Sequence, residues 1–185
     1  MYRRIASLLL LACALAGCES VRLPIAQRAA VAPAESLALP SRLAAPTQAD
    51  FVLVDKSDRT LTLYAGGRPF RTYRGLQFGG APMGHKHFEG DERTPQGRYW
   101  IDYRNPKSAY HLSLHISYPN AADTDYARGR GRSPGGEIFI HGQPNWLISG
   151  RLPGDWTDGC IALSDAQIEE LWSAIPDGTP IEIRP

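Results

Sequence analysis

Cysteine is scarce in this chain. Three residues in 185, at positions 13, 18 and 160, are too few and too far apart for a disulfide framework. An excess of charge of either sign is missing too. Twenty Lys and Arg against 19 Asp and Glu give a formal net charge of +1, which excludes a polyanion-binding surface and with it a nucleic-acid partner. No apolar run approaches the roughly 20 residues of a membrane-spanning helix; the longest extends from Ile5 to Ala16. There is no internal repeat. His85, His87, His111 and His115 invite a metal site, but no second Cys or carboxylate stands beside them at a convincing ligand spacing, so neither metal nor cofactor is expected.

The residues present divide the chain into three. Arg3 and Arg4, the apolar stretch behind them and the small-residue step at Ala16-Gly17 have the build of a secretory signal. Leu15-Ala16-Gly17-Cys18 resembles the lipobox of bacterial lipoproteins. That resemblance implies removal of residues 1–17, lipidation of Cys18 and attachment to a membrane facing the periplasm; Glu19, which is not the aspartate that usually retains such proteins in the inner membrane, points to the outer one. Removal would take two basic and no acidic residues, bringing the net charge to −1. Cys160 would then be a lone thiol in an oxidising compartment, a liability unless it has a task.

Residues 18–49 hold the lipidation cysteine and a stretch with no aromatic residue and with Pro24, Pro33, Pro40 and Pro46, which reads as a tether reaching about 30 Å as a coil and about 95 Å in polyproline form. Residues 50–185 are long enough for one domain with its own core. Its apolar pattern is mainly of period two, predicting a hairpin from Leu61-Thr62-Leu63-Tyr64, Gly66-Gly67 and Phe70-Arg71-Thr72-Tyr73, and further strands at 51–54, 97–103, 111–117, 136–141 and 180–184. One helix is well signalled: Ser164 and Gln167 form a capping box, and Ile168, Leu171, Trp172 and Ile175 recur at helical spacing before Pro176. The pattern predicts a mainly β fold, a sandwich or barrel, with one clear C-terminal helix.

Two segments carry the chemistry, Ile138-Phe139-Ile140-His141-Gly142 and Trp156-Thr157-Asp158-Gly159-Cys160-Ile161. A thiol becomes a nucleophile when a neighbouring base takes its proton, and imidazole suits that task near neutral pH. The glycines beside both groups let a substrate backbone approach. Gly159 and Cys160 are placed to offer consecutive N–H groups to an oxyanion. Papain-like proteases place the cysteine before its histidine, and here the order is reversed.

The arrangement resembles the L,D-transpeptidase catalytic domain, the YkuD family, whose signature is His-Gly followed by Ser/Thr-x-Gly-Cys and a branched apolar residue. The fifteen residues from Gly142 to Trp156 fit its usual gap. Gly90-Asp91-Glu92-Arg93-Thr94-Pro95-Gln96-Gly97 and Ile175-Pro176-Asp177-Gly178-Thr179-Pro180-Ile181-Glu182-Ile183 look like two further family segments, so the resemblance covers most of 50–185. It implies Cys160 as the acylated nucleophile, His141 as its base, Gly142 as the carbonyl that orients the ring, and Thr157 as support for the loop. The donor would be a peptidoglycan stem peptide attacked at the carbonyl of its third residue. The acceptor would be a second stem's amine, a wall-linked lipoprotein, or water.

Asp158 stands where the family often has histidine, and Ala162 where it often has arginine or asparagine. Asp158 is a candidate support for the loop as an acceptor of backbone hydrogen bonds, whereas an acid close to the sulfur opposes thiolate formation, and Ala162 offers nothing to a substrate carboxylate. The Gly-Cys-x-Ala form resembles a subgroup that includes enzymes detaching amino acids or proteins from peptidoglycan. Hydrolysis, by an L,D-carboxypeptidase or an amidase, is therefore the alternative to transfer, and a non-catalytic peptidoglycan-binding lipoprotein the second alternative. Arg93 and His115 are candidate substrate contacts. Arg128-Gly129-Arg130-Gly131-Arg132 reads as a solvated loop.

Overall fold

The computed structural model describes residues 47–185; the expected signal, Cys18 and nearly all of the tether lie outside them. Eight strands and two helices follow in the order β1 Phe51–Asp55, β2 Thr60–Ala65, β3 Arg68–Arg74, β4 Gly97–Asn105, β5 Ser113–Ile116, α1 Ala121–Arg128, β6 Ile138–His141, β7 Ile161–Ala162, α2 Asp165–Ala174 and β8 Thr179–Arg184. All eight strands form one sheet, β3-β2-β1-β8-β4-β5-β6-β7. Neighbours are antiparallel except β1 with β8 and β6 with β7. Those parallel pairs need long crossovers, and the β6-to-β7 crossover is the segment that joins the His-Gly and Gly-Cys pairs.

Period-two patterning drives the sheet. Val52 and Val54, Leu61 and Leu63, Tyr99 and Ile101, Leu114 and Ile116, and Ile181 and Ile183 each put alternate side chains into one core, at about 1.5–3 kcal/mol per buried aliphatic side chain. The sheet also curls onto itself. Gln77, just beyond the edge strand β3, exchanges backbone bonds with Ala162 on the opposite edge strand, 3.0 Å and 2.8 Å long, so the β7 edge is covered and the predicted β sandwich or barrel takes the form of a curled, partly closed sheet. The C-terminal helix forms as predicted, with the Ser164–Gln167 capping box in place and Ile168 and Leu171 buried.

The second helix, α1, carries no apolar stripe; only Asp123 and Ala127 are buried in it, which is why hydrophobic periodicity does not reveal it. A polar network holds it instead. The Asp123 carboxylate accepts from the Asn120 N–H (3.0 Å) and the Tyr99 hydroxyl (2.9 Å), and lies 3.0 Å from His85 Nε2. The Gln96 N–H donates to His85 Nδ1 (2.8 Å), so Nε2 is the ring nitrogen that carries the proton toward Asp123. The arginine-rich run is more ordered than the loop its composition suggests. Arg128 belongs to α1, Gly129 caps it, and the guanidinium groups of Arg130 and Arg132 lie over the Tyr126 and Phe88 rings at 3.5 Å and 4.0 Å.

Because Asp123 is buried and serves three partners, Asp123→Ala is expected to lower the unfolding free energy by about 3 kcal/mol in a urea titration. A loss below about 1 kcal/mol would show that the network is not what holds α1 to the sheet.

Candidate active site

His141 is the last residue of β6, and Cys160 immediately precedes β7, its parallel neighbour. Strand pairing therefore brings together two groups nineteen positions apart. Both line two adjoining lobes of one cleft, of about 290 and 320 Å³, with Tyr110 and Glu137 common to the two. Asn105, Ser108 and Phe139 belong to the first lobe, and Trp156, Thr157 and Asp158 to the second.

The imidazole is set for one role. His141 Nδ1 lies 2.7 Å from the Gly142 carbonyl; a carbonyl only accepts, so Nδ1 carries the proton and Nε2 is left basic. Tyr110 and Trp156 pack on the ring with centroids at 4.6 and 5.6 Å. The residue is 3% exposed, and burial brings its pKa down to about 4 against the upward pull of the Gly142 carbonyl. Gly142 has a steric role as well, since a Cβ there would stand 2.6 Å from Asp165 Oδ1, the oxygen that accepts from the Gln143 N–H.

The sulfur sits between two backbone groups of the strand opposite. The Phe139 N–H points at Sγ from 3.4 Å, and the Glu137 carbonyl accepts from the thiol at 3.6 Å. Burial pushes the Cys160 thiol up to about 11; the Phe139 N–H and Lys86 oppose this, while Asp158 and Glu137 add to it. Asp158 thus acts on the sulfur in the sense its charge predicts. At neutral pH both groups rest uncharged, as thiol and neutral imidazole.

Behind the cysteine the turn is tightly held. The Thr157 hydroxyl donates to the Cys160 carbonyl (2.8 Å) and accepts from the Gly159 N–H (3.2 Å). The Gly159 N–H is therefore taken up inside the turn, contrary to the expectation of two free consecutive donors, and Cys160 supplies the remaining one. Gly159 adopts φ +126°, and a Cβ on it would stand 2.6 Å from the Arg93 carbonyl, so only glycine fits. The Thr94 hydroxyl donates to the Gly159 carbonyl (2.9 Å). Asp91 in turn accepts from the N–H groups of His87, Phe88 and Arg93 and pairs with buried Lys86. The Gly90–Gly97 segment is thus a brace for the Gly-Cys turn.

The crossover is pinned by buried amides. Gln143 donates to the carbonyl of Leu163 (2.6 Å) and to Gln77 Oε1 (3.2 Å), and Gln77 donates to the carbonyls of Leu152 and Gly154. Asp155 takes Arg59 in a bidentate pair. The two remaining sequence candidates lie elsewhere. Arg93 contributes its carbonyl to the brace, while its guanidinium reaches toward Gly84 rather than lining either lobe. His115 pairs with Asp102 (2.6 Å) and packs between Tyr103 and Phe139, one strand away from the cleft. His85, His87 and His111 are directed to Asp123, Tyr126 and Glu169 respectively.

Tyr110, Trp156, Glu137 and Phe139 went unnoticed in the sequence. Trp156 and Phe139 lie inside the two motifs, and their positions next to the reactive groups were a usable signal. Tyr110 and Glu137 come from loops whose approach only the folded chain defines.

The neutral resting pair predicts that iodoacetamide alkylates Cys160, followed by peptide mass, at a rate rising about tenfold per pH unit between about pH 6 and 9. A rate already level below pH 7 would reveal a preformed ion pair. Folded His141 titrates below its unfolded value of 6.5, so its contribution to stability is complete above 6.5 and lost as pH falls toward 4. The acid loss of denaturation midpoint should shrink in His141→Gln; an unchanged acid limb would contradict the assignment.

Residues 49–183 match the family YkuD, the L,D-transpeptidase catalytic domain. Comparison with curated proteins gives no match. Among solved structures, the helical cell shape determining protein Pgp2 from Campylobacter jejuni is 32% identical with a TM-score of 0.59, and Bd1075 from Bdellovibrio bacteriovorus is 26% identical with a TM-score of 0.51; each alignment covers 72% of this chain. The chain spans less than half of either structure's length, 46% in both cases. With the motif residues gathered in one cleft and the family matched over almost the whole described domain, the chain belongs to the L,D-transpeptidase catalytic domain family.

Proposed function

We propose that the protein is a cysteine acyltransferase acting on peptidoglycan stem peptides through a thioester at Cys160. The observation that carries this reading is the imidazole of His141, held by the Gly142 carbonyl with Nε2 bare, in the same cleft as the thiol. As sulfur attacks the donor carbonyl, its proton passes to Nε2. The tetrahedral oxyanion is met by the Cys160 N–H. Collapse breaks the amide bond, and the leaving amine takes the proton from Nε2. An incoming amine or water then attacks the thioester carbonyl and gives a proton to the same nitrogen; the C–S bond breaks, the acyl group leaves on the acceptor, and the departing sulfur takes that proton back. The two lobes on either side of the sulfur suit a donor and an acceptor. The family match supports the substrate class, and the similarity to Pgp2 supports a part in determining cell shape.

Hydrolysis is the second reading, and Ala162 favours it. Its side chain is fully buried, paired through its backbone with Gln77 and His141, so no contact from that position holds a donor's carboxylate. We propose that the domain is held in the periplasm by a lipid anchor at Cys18, at the outer membrane in the sense Glu19 suggests.

Incubation with a carbapenem should add the inhibitor's mass to the intact protein and not to Cys160→Ala. No adduct, together with equal binding of both forms to sacculi, would instead identify a binding module. Digestion of tetrapeptide muropeptides separates the fates: a cross-linked dimer means transfer, tripeptide alone means hydrolysis. Cys18→Ser should move the protein from the membrane fraction to the soluble one, and continued membrane partitioning would refute the anchor.

A further inference from the structure

Gly142 and Gln143 share one peptide group, and both of its polar ends are engaged. The carbonyl oxygen takes the His141 Nδ1 proton at 2.7 Å, and the N–H donates to Asp165 Oδ1, also at 2.7 Å. A trans peptide points its C=O and N–H in opposite directions within one plane. Imidazole, peptide and carboxylate therefore lie in one line, running from Nδ1–H through O=C–N–H to the carboxylate oxygen.

The carboxylate has no other task in the fold. Asp165 opens α2, but the helix is already capped by Ser164 and Gln167. Among the described residues the Gln143 N–H is the one hydrogen bond the Asp165 side chain accepts, and no cation pairs with it. Its position is also tied to that of the glycine. A Cβ on Gly142 would stand 2.6 Å from Asp165 Oδ1, so the absence of a side chain beside the histidine is what admits the acid.

The peptide between them is fixed from every side. The Gly142 N–H reaches the Tyr110 and Leu112 carbonyls at 3.1 and 3.3 Å. Gln143, 1% exposed, donates through its amide to Leu163 and Gln77 and accepts from the Leu152 N–H. Asp165 in turn belongs to the stretch of chain that carries the sulfur, since Cys160, β7 and the first turn of α2 follow one another, and the Leu163 N–H donates to the His141 carbonyl at 2.9 Å. The acid thus sets the imidazole relative to the segment that holds the thiol.

A charged acceptor on the N–H draws electron density toward the peptide oxygen, and linked hydrogen bonds strengthen one another. A stronger acceptor at Nδ1–H holds that tautomer and makes Nε2 more basic, against the burial that weakens the imidazole as a base. In Ser-His-Asp sites a carboxylate does this to the ring directly. Here a neutral peptide stands between, so no charge is set against the buried ring.

We propose that Asp165 is a positioning residue for His141, acting through the 142–143 peptide to fix the tautomer of the ring and strengthen Nε2 as a base. The inference rests on the acyl-transfer reading for the use made of that base, and on the geometry alone for the relay.

The test compares the full chain with its Asp165→Ala and Asp165→Asn forms, the second keeping an acceptor oxygen without the charge. The His141 Nδ1 proton, identified by its absence from His141→Gln, is followed by NMR, and acylation by a carbapenem is timed by intact mass. Asp165→Ala should move that proton upfield, lower the pH at which the imidazole titrates, and slow acylation about tenfold. Asp165→Asn should fall between it and the wild type. An unchanged acylation rate overturns the proposal. So does a slower rate with the proton resonance in place, which would make Asp165 a support of α2 alone. Where the alanine form does not fold, Asp165→Pro gives the same reading, because proline suits the first position of a helix and removes the carboxylate. If the wild type itself is not acylated, the acyl-transfer reading falls, and the response of the Nδ1 proton to Asp165→Ala decides the relay by itself.

Discussion

The bond from the Thr94 hydroxyl to the Gly159 carbonyl, together with the close passage of the Arg93 carbonyl over the Gly159 Cα, is the constraint on which the site depends. A cysteine on an unsupported turn would sample many positions. Here the turn is clasped from behind by the Gly90–Gly97 segment, and that segment is fixed by Asp91, Lys86 and Lys56, the last donating to the carbonyls of Gly84 and Thr94. The brace connects through Gln96 and His85 to Asp123 and the α1 cap. A continuous polar network therefore runs from a surface helix to the turn that carries Cys160, and its cost in desolvated charge is offset by bonds that satisfy nearly every buried polar atom.

Neutrality at rest follows from the same packing. Tyr110 and Trp156 keep water from His141, and the strand opposite keeps it from Cys160, so both charged forms are disfavoured. A buried neutral pair is less reactive toward adventitious electrophiles than a standing thiolate. The Phe139 N–H faces the sulfur and is the one nearby backbone donor that opposes the rise burial causes at Cys160.

Much of the fold was legible because its information is local. Alternation at Val52/Val54, Leu61/Leu63 and Ile181/Ile183 has only one way to face a core, and Ser164-x-x-Gln167 marks the start of α2 without reference to anything distant. Helix α1 was not legible, because its hold is a set of hydrogen bonds to Tyr99 and His85 rather than an apolar stripe. The strand predicted at 111–117 was trimmed to Ser113–Ile116, in part because His111 takes a positive φ of 66°. At the site, His141, Gly142, Thr157, Gly159 and Cys160 carry recognisable spacing. Glu137 and Tyr110 do not, since neither type nor spacing distinguishes them from ordinary surface residues.

By itself the sequence determined the period of each strand, the C-terminal helix, the identity and chain order of the thiol and imidazole, and the family they resemble, because each of these depends on neighbours in the chain. Only the tertiary structure decided that the Gly159 N–H is spent inside its own turn, that Arg93 contributes a carbonyl rather than a charge, and that the cleft is lined by carboxylates with no cation among the described residues. Those outcomes depend on which segments meet across a curled sheet, and hydrogen-bond partners and local fields are set by distances between residues that the linear order leaves far apart.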